Sequence, residues 1–156
     1  MIDRAIEEKV VAALAAALLP RNGVKIVGAY EAAEAGEVKG EEKPEDGVVV
    51  AVAVGAPAWD TYLVPSCSVP VALALTVRRE VAPTGDALEQ VMAPISNLLM
   101  QLQHDATAVD RLLTSEEFQA DGVRVDGGPP PSYSSAKHAW TVVRTFTVRG
   151  VPQFNN

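Results

Sequence analysis

The sequence is poor in the residues that most site chemistry requires. One cysteine, Cys67, and two histidines, His104 and His138, stand among 156 residues. A lone cysteine cannot close an internal disulfide, so the chain fits a reducing compartment or one with no use for disulfides. A catalytic zinc takes three protein ligands at recognisable spacing, which two scattered histidines do not supply. Basic residues number 13 against 20 acidic ones, a net charge of −7. That sign repels a phosphate backbone at long range and disfavours a protein that wraps nucleic acid. Pro, Gly, Asp or Arg interrupts every apolar run well before the roughly 20 residues of a membrane span. Asp3, Glu7 and Glu8 in the opening turns are contrary to the basic start of a signal peptide. These absences predict a soluble, non-exported chain, and its length and apolar content predict a single domain over 1–156.

What is present is hydrophobic periodicity. Ile2, Ile6, Val10, Leu14 and Leu18, with Val11 and Leu19 beside them, recur at helical spacing until Pro20 and Asn22-Gly23 stop them. A strand is expected over 24–30, with Val24, Ile26 and Tyr30 on one face. Residues 31–47 turn acidic around only two lysines, and few apolar groups offset the entropy of ordering them, so a mobile, exposed loop is expected. Valines over 48–54 read as a buried strand ending at Gly55-Ala56-Pro57, before a loop holding Trp59, Tyr62 and Pro65. Val69, Val71, Leu73, Leu75 and Val77 fall on one face of a long strand. Asp86 and Glu89 resemble a capping box opening a second helix, whose stripe is Leu88, Val91, Met92, Ile95, Leu98, Leu99 and Leu102. Pro94 predicts a kink or break near Ala93. A shorter helical piece runs over 106–113. Val123 and Val125 mark a strand, Gly127-Gly128-Pro129-Pro130-Pro131 and the serines after it predict a loop without regular structure to about 136, and Trp140, Val142, Phe146 and Val148 line a closing strand. The economical arrangement is α+β: a mostly antiparallel sheet with an N-terminal helix and a long central helix packed on one side.

Each group that could carry chemistry has a plain structural explanation beside it. His104 and Asp105 are adjacent near a helix end, where neighbouring residues do not face each other and a cation suits the macrodipole. Cys67 between Ser66 and Ser68 is a nucleophile only if a histidine folds beside it; otherwise it is a structural strand residue. The acidic run lacks the ligand spacing of an EF-hand, and the glycines at 127–128 lead into prolines instead of opening a phosphate-binding helix. No catalytic, cofactor or metal residue is therefore assigned. Arg78 and Arg79 end one strand and Arg144 interrupts the apolar face of another. A solvated strand end is the favoured account of Arg78 and Arg79 over pairing with a carboxylate within the chain or across a subunit contact, and for Arg144 both accounts stay open.

An N-terminal amphipathic helix is followed by a strand ending Ala72-Leu73-Ala74-Leu75-Thr76-Val77-Arg78-Arg79, then by a long helix and a closing Trp140-Thr141-Val142-Val143-Arg144-Thr145-Phe146-Thr147-Val148 strand. In size, layout and texture, over nearly the whole chain, this resembles the small tail-terminator or tail-completion proteins of tailed bacteriophages. The resemblance implies a structural, non-enzymatic α+β subunit without cofactor. Such a subunit forms a homo-oligomeric ring, often a hexamer, on the head-proximal end of the tail tube. It is assembled in the bacterial cytoplasm and found in the virion, with tail-tube and head or neck proteins as partners and DNA only as passing cargo. Candidate interface residues are then Arg78, Arg79, Arg144, Glu37, Glu41, Glu42 and Tyr133. Competing readings are a head-completion or neck connector, a small cytoplasmic protein-binding module that offers a sheet edge, and a small enzyme with a site near Cys67, Trp59 and a histidine.

Overall fold

A computed structural model describes residues 1–18, 23–34, 47–60 and 65–153. In chain order the elements are α1 (Ile2–Leu18), β1 (Val24–Gly28), α2 (Ala29–Glu34), β2 (Val48–Val54), β3 (Ala58–Asp60), β4 (Ser66–Arg78), α3 (Gly85–His104), α4 (Ala106–Leu113), β5 (Phe118–Gly127), β6 (Ser132–Ser134) and β7 (Ala139–Pro152). One sheet carries all the strands in the order β1-β2-β4-β7-β5, with β3 paired to β4 and β6 to β7. Among the described residues only the β1–β2 pairing is parallel. The fold is α+β.

Alternation decides which face is covered. Val48, Val50 and Val52 of β2, the odd-numbered residues from Val69 to Val77 of β4, and Val142, Phe146 and Val148 of β7 are all buried. They meet Ile6, Val10, Leu14 and Leu18 of α1, the Leu88-to-Leu102 stripe of α3, and Val109 and Leu113 of α4 in one cluster. Each such side chain contributes about 1.5–3 kcal/mol by leaving water. The opposite face carries Ala51, Ala53, Ala72, Ala74, Thr76, Thr141, Val143, Thr145 and Thr147, small or hydroxylated groups that are exposed or half-buried. None of the described helices is long and apolar enough to cross a membrane.

Two long hairpins form the centre, and each has an interrupted outer strand. β2 and β3 both pair with β4, and residues 55–57 there face only two residues of β4, with Gly55 N–H donating to Pro70 O at 2.8 Å. β5 and β6 both pair with β7, and 128–131 face only 142–144. Proline cannot donate to a ladder, so each interruption sits where Pro57 or Pro129–Pro131 would have had to. The expectation of no regular structure from 127 to 136 is thus corrected: 132–134 rejoin the sheet once the prolines are passed.

Three further expectations change. The strand after α1 stops at Gly28, and Tyr30 lies in α2, so residues 31–34 of the expected acidic loop are helical. The reason is Glu7, a carboxylate 2% exposed on α1, which accepts the N–H groups of Ala29 at 2.9 Å and Tyr30 at 3.0 Å and so caps α2 from another helix. A Cβ on Gly28 would lie 2.6 Å from Glu7 Oε2, so glycine is what lets the carboxylate approach. The N-cap of α3 is Thr84, whose Oγ1 accepts Ala87 N–H at 3.2 Å, and not Asp86. Finally, α3 runs unbroken through Pro94, because buried residues on both sides of the proline, Met92 and Ile95 nearest, hold it against the core.

Candidate interaction site

β4 ends at Arg78, and the chain turns at once: the N–H groups of Val81 and Ala82 both donate to Arg78 O, at 3.0 and 3.1 Å. Ala82 is buried, and its carbonyl accepts Trp140 Nε1–H at 2.9 Å, which fastens the turn to the first residues of β7. Arg79 N–H donates to His138 O at 2.9 Å, carrying the contact one residue past the ladder that pairs Arg78 with Ala139. The β6–β7 turn completes the corner. His138 adopts φ +50°, a left-handed conformation that costs a non-glycine residue about 1–2 kcal/mol, and Lys137 N–H reaches Ser134 Oγ at 3.3 Å. Tyr133 and Trp140 are cross-strand partners with ring centroids 5.2 Å apart at 61°, an edge-to-face pair.

The result is a rigid corner at one end of the sheet. Its exposed groups are Arg79, Val81, Tyr133, Lys137 and His138, with Arg78 half-buried beneath them and Glu80 as its acidic member. Val81 and Tyr133 each keep 41% of their surface in water. Tyrosine and arginine on a backbone already held in place spend no backbone entropy on binding, which suits them as interface anchors.

The structure therefore brings together Arg78, Arg79 and Tyr133 of the residues singled out from the sequence. Arg144 is not among them. It lies four residues along β7 from Trp140, opposite Leu73, and its guanidinium donates to Pro129 O at 3.2 Å and Val143 O at 2.8 Å. It holds the proline interruption against the sheet, in close company with Gly128, where a Cβ would collide with Val143 O. Glu37, Glu41, Glu42 and Tyr62 lie outside the described residues. Val81 and Lys137 carried no signal in the sequence, and His138 stood out there only as a histidine, since the hairpin that displays 137 and 138 is hidden behind the proline run.

Of the groups weighed for catalysis, Cys67 and Trp59 are cross-strand partners, but His138 is remote from both. Cys67 is 1% exposed at the start of β4, while His138 sits beyond the other end of that strand, about 35 Å away at the rise of an extended chain. Burial pushes the Cys67 thiol up, the reverse of what a nucleophile needs. Asp105 is both the residue after α3 and the N-cap of α4, its Oδ1 accepting Thr107 N–H at 3.0 Å and Ala108 N–H at 3.2 Å. Among the described residues no three His, Cys, Asp or Glu side chains gather as a metal would require. Trp59, 51% exposed on β3 opposite Cys67, is a second exposed aromatic at the far end of the sheet.

No family model and no curated protein matches the chain. A solved structure aligns with 96% of this chain and 96% of its own, at 16% identity and a TM-score of 0.45, a likeness too slight to bear on function.

Proposed function

We propose that the chain is a structural assembly subunit of a tailed phage or phage-like particle, capping the tail tube at its head-proximal end as a homo-oligomeric ring. The observation that carries the assembly reading is the corner formed by Arg79, Val81, Tyr133 and Lys137, an aromatic, arginine-bearing surface on fixed backbone. The particle itself is taken from the resemblance in layout. Fastening Trp140 to Ala82 and Arg79 to His138 leaves the exposed groups on fixed backbone, which is how a small interface holds subunits without a large apolar patch. A net charge of −7 suits a ring through which DNA passes without sticking.

A module that captures a peptide on its sheet edge is less supported. β5, the ten-residue edge, is broken by register shifts at 120–122 and 125–127, and bulges of this kind blunt an edge against added strands. Mass by light scattering behind size exclusion, over a wide range of concentration and salt with negative-stain images of large species, tests the proposal. Closed rings of one stoichiometry are expected. A strict monomer under every condition, with or without tail tubes, would overturn it.

A further inference from the structure

The two lateral edges of the sheet differ in chemistry. On one, β3 pairs with β4 on the side that β2 occupies further along, and no described strand lies outside it. There Trp59 is 51% exposed, the largest of the exposed apolar side chains among the described residues. On the other edge, beyond β4 and β7, the interruption between β5 and β6 presents Pro129, Pro130 and Pro131, all exposed. This ridge is held at both ends. Thr145 Oγ1 donates to Gly127 O at 3.2 Å, Arg144 Nη1 donates to Pro129 O at 3.2 Å, and 132–134 rejoin β7. Each proline ring fixes φ at about −65°, so the ridge has little backbone freedom left to lose. Consecutive prolines offer ring faces and carbonyls but no N–H, and aromatic side chains are what such segments dock against.

Resting on the ring reading above, we propose that Trp59 of one copy packs against the proline ridge 129–131 of the next, as the head-to-tail contact between copies. Three observations converge on this. β4 and β7 stand between Trp59 and the ridge, so the two cannot meet within one copy. That placement, complementary groups on opposite edges of one rigid sheet, is what a heterologous interface needs to repeat around a closed ring; a two-fold contact would instead set each edge against itself. Charge points the same way. No charged residue occurs from Gly47 to Trp59 or from Gly127 to Ala136, in a chain where charged residues make up 21%. Copies with a net charge of −7 repel at long range, and these segments let them touch without setting like charges together. Depletion of charge also marks the centre of protein interfaces. Finally, Tyr133, two residues past the last proline and 41% exposed, carries the same surface into the corner described above.

Truncating each half, and then both, tests it. Variant one carries Trp59→Ala; variant two carries Pro130→Ala and Pro131→Ala. Trp59 is on an exposed edge and the prolines lie outside the described ladders, so thermal unfolding of both should stay close to the parent. Each should weaken self-association by about tenfold or more in sedimentation equilibrium. Combining them should cost little beyond either alone, since each removes the same contact. Raising salt should leave the parent's association unchanged or stronger, because screening acts mainly on the repulsion between like-charged copies. A second measurement keeps the contact itself intact. Ala58→Cys and Ser132→Cys, at exposed positions beside Trp59 and the ridge, should be joined by a short bismaleimide when the two variants are mixed, and neither should link to itself. Cys67 is buried and does not compete. Rings that ignore both truncations, or lose association additively, would overturn the contact and leave the ring reading intact. So would linking of either cysteine variant to itself. A parent monomeric throughout, with or without tail tubes, would remove both.

Discussion

Burial and single hydrogen bonds set the behaviour of several side chains. Desolvation raises the Cys67 thiol, and the bond that Tyr30 donates to Asp3, aided by burial, raises the Tyr30 phenol. Both groups keep their protons more firmly folded than unfolded. Their contributions are therefore complete below the unfolded values, about 8.5 and 10, and are lost as pH rises through the higher folded ones. Urea midpoints should decline from about pH 9 upward, and the decline should flatten in Cys67→Ala combined with Tyr30→Phe. Cys67 should also react with iodoacetamide at least about tenfold more slowly in the native chain than in urea. Rapid native labelling would restore the nucleophile reading. Glu7 offers a sharper case. Glu7→Ala leaves the N–H groups of Ala29 and Tyr30 without their acceptor and should cost about 1–3 kcal/mol. Gly28→Ala, whose new Cβ meets the same carboxylate, should cost about 1–3 kcal/mol as well. The double variant should cost less than the sum, since one change removes the other's clash. Nothing in the local sequence marks Glu7, which sits beside an apolar stripe like any solvated residue of a helix border.

At the scale of elements, α1, α3 and α4 were legible because their stripes are local, and the short α2 was not. Leu88 to Leu102 recurs at the helical period, and 106–113 is helical as its apolar spacing implies. Caps were less legible, because several short polar residues compete at each boundary. Asp105 ends one helix and starts the next, so Asp105→Ala should lower stability by about 1–2 kcal/mol, against about 1 kcal/mol for Thr84→Ala, in urea titrations of each. β6 was not legible at all. Three prolines forbid a strand where they stand, and only the waiting edge of β7 makes 132–134 extend again. The Trp140 bond to Ala82 O spans 58 residues and no local pattern contains it. Trp140→Phe should keep the core contact, lose the bond at about 1 kcal/mol, and loosen Arg79 and Val81 in hydrogen exchange.

For the whole molecule, charge and shape act together. With a net charge of −7 the chain should not retain duplex DNA in filter binding at physiological salt, and retention that falls steeply with salt would count against the proposed ring. Composition and period alone carried the α+β class and the one-sided packing of the helices, because those follow from residue type and from spacing within about one element. Arg78 and Arg79 were visible as a strand end, and Tyr133 as part of a proline-rich stretch. That they meet at one corner was not, since 79 and 138 are joined by a backbone bond across 59 positions. Arg144 shows the converse: in the sequence it interrupts an apolar strand face without a visible partner, and in the fold it spends its guanidinium on a carbonyl that the proline interruption removed from the sheet. Contacts between distant segments depend on strand register and on which face each residue takes, and a one-residue slip would reverse every one of them. That register is set by the packing of the whole core, so the corner exists only once the chain has folded.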